Sequence, residues 1–422
     1  MLKTLMVGVL LLASAVSSAA AGRLNLSGKV VDTSGKPLAD ATIMVYHAGV
    51  RTGYSTFCPS CYADCGKRVV TDAEGSFEIA GLSPDLWFEL LAARDGYIAE
   101  FVKKVDPAKN ANVTIALAMK PTLTDFSGVV RGRVVDPDGS PIHDAVVQPF
   151  AVVTEKNENI FGAPPGLEPI AVTDAKGEFS ISYAKPAPKM LLSIEARGMA
   201  PKFATMETGP ERHTVTLYDG AAITGRLVAN GKGVGNAEIG LIAKNRGYFD
   251  SDLTGFGHPY QEVRIGTNPD GSFTITNVPE PVEWYLYAKM DSIAQQGATI
   301  PVEVKTSHDK EYVHAPDLSV QPGFRLKGTV VLSDGKAIPS GMHIGIGSDR
   351  FYDTQTTILS TDGHFEFENL PAGDYHIFPS VKGYRVKGTE FGPFDVPVSL
   401  DRDINDMTVT VFPVNPAPAT TK

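Results

Sequence analysis

Ser27-Gly28-Lys29-Val30-Val31-Asp32 is written again as Arg131-Gly132-Arg133-Val134-Val135-Asp136. It returns more loosely as Thr224-Gly225-Arg226-Leu227-Val228 and Lys327-Gly328-Thr329-Val330-Val331. A second landmark, Gly-x-Phe, follows each copy, at Gly75/Phe77, Gly177/Phe179, Gly271/Phe273 and Gly363/Phe365. The first glycine recurs after 104, 93 and 103 residues (28 to 132, 132 to 225, 225 to 328). Solenoid units repeat every ~20–50 residues, so a period this long marks a whole small domain. The chain reads as four beads on one string.

Within the first copy, Val30-Val31 belong to a strand, and Asp32-Thr33-Ser34-Gly35-Lys36-Pro37 is turn chemistry. Asp and Ser side chains bond their own backbone, Gly accepts positive φ and Pro fixes the exit. Ala41 to Val45 alternates as a second strand. Thr71-Asp72-Ala73-Glu74-Gly75 is a further turn, and Phe77-Glu78-Ile79 points inward, outward, inward. Gly75 suits a tight hairpin that wants one residue at positive φ, and Phe77 is expected in the core. Leu86 to Ala93 and Val113 to Leu117 supply more strands. Seven or so short antiparallel strands per ~100 residues is the arithmetic of a β-sandwich. High glycine (41) and proline (30) between β-branched runs fit an all-β chain. Outside the N-terminus no stretch keeps a helical period.

Met1-Leu2-Lys3, the apolar run Leu5 to Val16 and Ala19-Ala20-Ala21 read as a signal peptide over residues 1–21. The run is shorter than the ~20 residues a membrane span needs, so no span is expected in the mature chain. The expected fold class is all-β, with four tandem Ig-like or prealbumin-like β-sandwich domains after the signal peptide. Their expected ranges are 22–120, 121–219, 220–320 and 321–413, with a disordered tail over 414–422. A net charge of −10 argues against nucleic acid, whose recognition rests on clustered Lys and Arg.

The motif Gly28-x-Val-Val-Asp…Gly35-x-Pro37-Leu38-x-x-Ala41-x-Ile43, then Thr71-Asp72-x-x-Gly75-x-Phe77, resembles the carboxypeptidase regulatory-like domain. That domain is a transthyretin-like or prealbumin-like sandwich related to the collagen-adhesin B-type repeats. Residues 132–145 and 173–179 match nearly as well. The third and fourth copies depart, since Gly231-Lys232-Gly233-Val234 and Lys336-Ala337-Ile338-Pro339 distort the first turn, and the fourth lacks the aligned Thr. The resemblance implies an accessory domain without catalytic residues, and a carbohydrate-binding-like fold.

Cys58, Cys61 and Cys65 are all the cysteines, clustered in Cys58-Pro59-Ser60-Cys61-Tyr62-Ala63-Asp64-Cys65. One reading is a structural disulfide, Cys58–Cys65 or Cys61–Cys65, with Cys58–Cys61 as the redox-type alternative. A second is a thiolate metal site with His47 or Asp64 as fourth ligand, the metal unknown. A third is a link to another molecule. The cluster lies in an enlarged excursion between the second strand and the Gly-x-Phe turn, a place where the second and third copies are also enlarged. Such loops hold what specificity a scaffold has.

The second excursion carries Ile160-Phe161-Gly162-Ala163-Pro164-Pro165. The third carries Tyr248, Phe249, Asp250, Asp252, Phe256, His258 and Tyr260. Aromatic faces beside carboxylates suit a sugar ring, while long loops also use aromatics to pin themselves down. No His-Glu-x-x-His or Gly-x-Ser-x-Gly motif is present, and His308 and His314 read as part of a charged linker. The expectation is a secreted, periplasmic or cell-envelope multi-domain binding or structural protein that is not an enzyme and takes no cofactor. Its expected partner is a carbohydrate or other cell-surface polymer, or an envelope protein. The alternative is an accessory subunit of an extracytoplasmic enzyme, redox or export complex using the cysteine loop.

Overall fold

The computed structural model describes residues 22–122, 125–244, 262–348, 350–351, 353–387 and 395–414. The expected signal peptide over residues 1–21, the aromatic residues between 248 and 260, and the tail beyond Val414 lie outside the described residues.

In the first repeat seven strands form two sheets: β1 (Leu24–Asp32), β2 (Thr42–Val50), β3 (Arg68–Val70), β4 (Ser76–Leu82), β5 (Leu86–Ala93), β6 (Glu100–Val105) and β7 (Asn112–Leu117). One sheet has the order β4-β1-β7 and the other β3-β2-β5-β6. The same two-sheet plan recurs three times, and each repeat encloses its own apolar core. The all-β sandwich class is as expected; one single-turn helix, Met290–Ile293, departs from it. Among the described residues no helix is long and apolar enough to cross a membrane.

The two landmarks of the repeat are one interaction. Gly28 lies directly across from Phe77, as do Gly132 from Phe179, Gly225 from Phe273 and Gly328 from Phe365. A Cβ on these glycines would lie 2.6, 2.5, 2.4 and 2.6 Å from the facing ring. The bare glycine therefore makes the slot in which each Phe lies. Gly75, Gly177, Gly271 and Gly363 all have positive φ, and a Cβ there would strike a backbone carbonyl of the first strand.

Two expectations need correction. Gly75 is not in a hairpin, because β3 and β4 belong to different sheets and its turn carries the chain across the sandwich. Nor is every pair antiparallel. β7 runs parallel to β1, and the corresponding first and last strands pair in parallel in the other three repeats. Seven strands that alternate in direction bring the last one back parallel to the first, and here the two are neighbours.

The turns are fixed by side chains. Asp32 Oδ1 accepts from the Ser34 and Lys36 amides at 2.8 and 3.0 Å, and Asp136 Oδ1 from those of Asp138 and Ser140 at 3.0 and 2.8 Å. Buried Thr71 accepts from the Ala41 amide (2.9 Å) and donates to the Leu38 carbonyl (2.7 Å). Thr173 and Thr267 repeat this pin. Leu359 takes its place in the fourth repeat, held by backbone alone.

The beads are docked. Between the first and second repeats Tyr46, Leu91 and Ala99 pack on Val146 and Ile170. Arg68 donates to both carboxylate oxygens of Asp144, at 3.0 and 3.3 Å, and Lys120 lies 2.7 Å from Glu168. Between the third and fourth, Lys289 Nζ is 2.8 Å from Glu262 and 3.3 Å from Asp353, all three nearly buried. The Tyr287 hydroxyl donates to Glu262, and the Met290 amide donates to Asp353 at 3.0 Å. His314, expected in a solvated linker, instead sits in the short strand Tyr312–His314 against Thr224.

Burial pushes the Asp353 carboxyl up to about 6, against the opposing pull of Lys289. Because the folded value is raised, this contribution to stability is full below the ordinary carboxyl value and is lost as pH rises through about 6. Asp353→Asn is expected to remove this dependence between about pH 4 and about pH 7, read by thermal unfolding across that range. Gly225→Ala is expected to cost the third repeat about 1–3 kcal/mol by overpacking. In combination with Phe273→Leu the two costs should fall short of additive by about 1–2 kcal/mol, measured by calorimetry on both single variants and the double variant.

Candidate functional site: a cleft between three repeats

A cleft of about 580 Å³ opens where the first three repeats meet. Its walls include Tyr46 and His47, the Cys58–Ser60 segment, Phe150, Phe203 and Arg197, with Glu262 to Arg264 along one side. Volume and lining suit a ligand site, with apolar walls and a few polar groups.

The aromatic walls arise from the same irregularity in two repeats. Along β2, Val45 pairs with Leu90 and His47 with Glu89, so Tyr46 is an extra residue. In the second repeat β8 spans Val129–Val135 and β9 spans Val146–Val153. Along β9, Pro149 pairs with Leu192 and Ala151 with Leu191, so Phe150 is the extra residue. The bulges shift the inward phase from Ile43 and Val45 to Ala48 and Val50, and from Val147 to Val152. Each leaves one large ring on the outer face of its sheet, where the cleft lies. Bulges re-aim side chains in this way. Phe150 meets Phe161 and Phe203 edge-on, with centroids 5.8 and 6.0 Å apart. Phe161, in the second excursion, is thus held against its own sandwich.

The polar groups are placed by pairing. His47 Nδ1 lies 3.0 Å from Glu89 Oε2 on the facing strand. Arg197 Nε donates to the Ser60 carbonyl at 3.2 Å, tying the second repeat to the cysteine loop. The same loop reaches the third repeat. The Gly266 amide donates to the Ser55 carbonyl at 2.5 Å, and Cys61 Sγ lies 3.8 Å from Thr276 Oγ1. A Cβ on Gly266 would lie 2.6 Å from the Tyr54 carbonyl oxygen, so this strand needs glycine for the close approach.

Cys58 and Cys61 form the disulfide, and Cys65 is a buried free thiol. This is the redox-type pairing, not Cys58–Cys65 or Cys61–Cys65. Cys65 donates to the Pro59 carbonyl at 3.3 Å, and burial pushes its thiol up to about 11. Two of the three sulfurs are consumed, so the thiolate metal reading does not fit. Burial alone would raise the Asp64 carboxyl. Hydrogen bonds from Lys67 and the Ser83 amide, with the charges of Lys67 and Arg23, hold it below its usual value. It is committed to those partners, with Arg23 and Lys67 each at 2.8 Å. Among the described residues no His, Cys, Asp and Glu side chains group as metal ligands would.

All seven sequence candidates of the third excursion, from Tyr248 to Tyr260, lie outside the described residues. The structure brings together four residues that belong to no sequence motif: Tyr46, Phe150, Phe203 and Arg197. The available signal was the slip in apolar phase along β2 and β9.

Residues 25–120 match the carboxypeptidase regulatory-like domain, the family resembled by the Gly28-to-Phe77 motif. Residues 322–392 match the second β-sandwich domain of the BOS complex subunit NOMO1-like proteins. No curated protein matches the chain. Solved structures similar to it include GBS52, the minor pilin of Streptococcus agalactiae, at 15% identity over 48% of this chain and all (100%) of that one, TM-score 0.24. The Bacillus anthracis TIE protein is 10% identical over 92% of this chain and 73% of its own, TM-score 0.19. BcpA, the major pilin subunit of Bacillus cereus, is 11% identical over 93% of this chain and 100% of its own, TM-score 0.18. None of these likenesses assigns an activity to this chain.

Gly266→Ala is expected to push Tyr54 and Ser55 off the third repeat while leaving each sandwich folded. Chymotrypsin should then cut at Tyr54 or Phe57 about tenfold faster than in the parent chain, with strand content unchanged by circular dichroism.

Proposed function

We propose that this chain is a non-enzymatic, extracytoplasmic binding protein whose first three sandwiches together form one ligand cleft. The ligand class proposed is a carbohydrate or other cell-surface polymer. The observation that supports it is the pair of matched bulges, which set Tyr46 and Phe150 on a shared wall beside His47, Glu195 and Arg197. Half-buried Phe150 offers an apolar ring to the cleft, Tyr46 being largely covered by the joint with the second repeat, and carboxylate and guanidinium groups satisfy hydroxyls at a ring's edge. The fourth sandwich joins the third through the buried Lys289 cluster, whose Glu262 also lines the cleft. A signal peptide over residues 1–21 would place the protein outside the cytoplasm, and an envelope protein is a further proposed partner.

A second reading, an accessory subunit of a redox or export complex, draws on the Cys58–Cys61 pairing. The two readings separate on a glycan and cell-wall polymer array run with the parent, a Phe150→Ala variant and an Arg197→Ala variant. The cleft reading expects binding by the parent and a loss of about tenfold or more in each folded variant. No binding by the parent, or binding indifferent to both substitutions, would contradict it.

A further inference from the structure

We propose that the Cys58–Cys61 disulfide is a thiol–disulfide exchange site for a dithiol reductant, and that its reduction loosens the contacts of the cysteine loop with the second and third repeats. The three sulfurs differ in access. Cys61 is an exposed residue, Cys58 is half-buried and Cys65 is buried. A thiolate from solvent therefore meets Cys61 Sγ first. Cys58 Sγ lies 3.6 Å from the Ser60 hydroxyl, so the leaving sulfur already has a donor beside it.

The pairing also staples little. A disulfide restricts the unfolded chain more as its loop lengthens, and this one closes a sequence separation of 3. Cys58–Cys65 would have closed a longer loop. What the short ring does hold is the Pro59-Ser60 turn, and that turn carries one contact to each neighbour. The Pro59 carbonyl accepts the Ala48 amide at 2.9 Å and the Cys65 thiol at 3.3 Å. The Ser60 carbonyl accepts Arg197 Nε from the second repeat, and Cys61 Sγ faces Thr276 of the third. Opening the ring frees the turn that carries both contacts.

The chemistry balances with the dithiol alone. One thiolate of the dithiol attacks Cys61 Sγ, the Cys58–Cys61 bond breaks, and Cys58 leaves as a thiolate that takes a proton. The second thiolate of the dithiol attacks its own sulfur in the mixed disulfide, and Cys61 leaves and is protonated. The protein disulfide gains two electrons and two protons, and the dithiol becomes its cyclic disulfide. Cys65 does not take over, since burial holds it as a protonated thiol at neutral pH.

The test uses the full chain, dithiothreitol as the dithiol, and no denaturant. After reduction and alkylation, peptide mass analysis should find Cys58 and Cys61 modified and Cys65 unmodified. Amide exchange at Gly266, whose N–H donates to Ser55, should quicken about tenfold and return on reoxidation. A Cys58→Ser/Cys61→Ser variant should show the fast exchange without reductant. Should that variant fail to fold, the reduction and reoxidation cycle on the parent stands as the test. Modification of Cys58 and Cys61 only in denaturant would overturn the proposal, as would their modification with Gly266 exchange unchanged.

Discussion

A phenylalanine ring lying over a bare glycine on the neighbouring strand is the contact on which each sandwich depends. Sliding the pairing by one residue would turn the inward face of the strand outward. The Gly28–Phe77 slot forbids that slip, because a ring placed over Lys29 would meet a side chain. The positive-φ glycine two residues before each Phe delivers the strand into this register, and a Cβ there would meet a carbonyl of the first strand. The two landmarks are therefore coupled through their pairing: the chain cannot vary either without refitting the other.

This explains which features the sequence displays and which it conceals. The slot needs particular residue types at particular places, so it is written plainly four times. The Asp-rich turns and the Thr pins are legible for the same reason, since each uses one side chain to satisfy specific amides. The partner of β7 is less so. Composition and alternation say that a strand is present, not that it returns beside β1 in parallel. The turn at Gly75 has the residues of a hairpin, and only pairing shows that it crosses between sheets.

The cleft was the least visible part. Tyr46 and Phe150 look like ordinary apolar residues in apolar strands, and Arg197 sits in a turn with no motif around it. Their common property is a one-residue slip in inward phase, at the same place in two repeats. The cysteine excursion is legible in the sequence as an enlarged loop, but its pairing is not, because three thiols within eight residues permit several. The joints depend on substitutions that break the repeat. Gly266 stands where the first repeat has Val70, and the smaller residue admits Tyr54 of the neighbouring sandwich. Where the repeats agree they build sandwiches; where they differ they build contacts between sandwiches.

That division makes the docked arrangement the central physical claim, since the cleft exists only if the first and third repeats hold a fixed relation. Double electron–electron resonance between nitroxides at Glu74→Cys and Lys232→Cys tests it directly, both positions being exposed. One narrow distance distribution, broadened by Gly266→Ala, is the expected result. A broad distribution in the parent, unchanged by that substitution, would show beads moving freely on a string and would contradict the account.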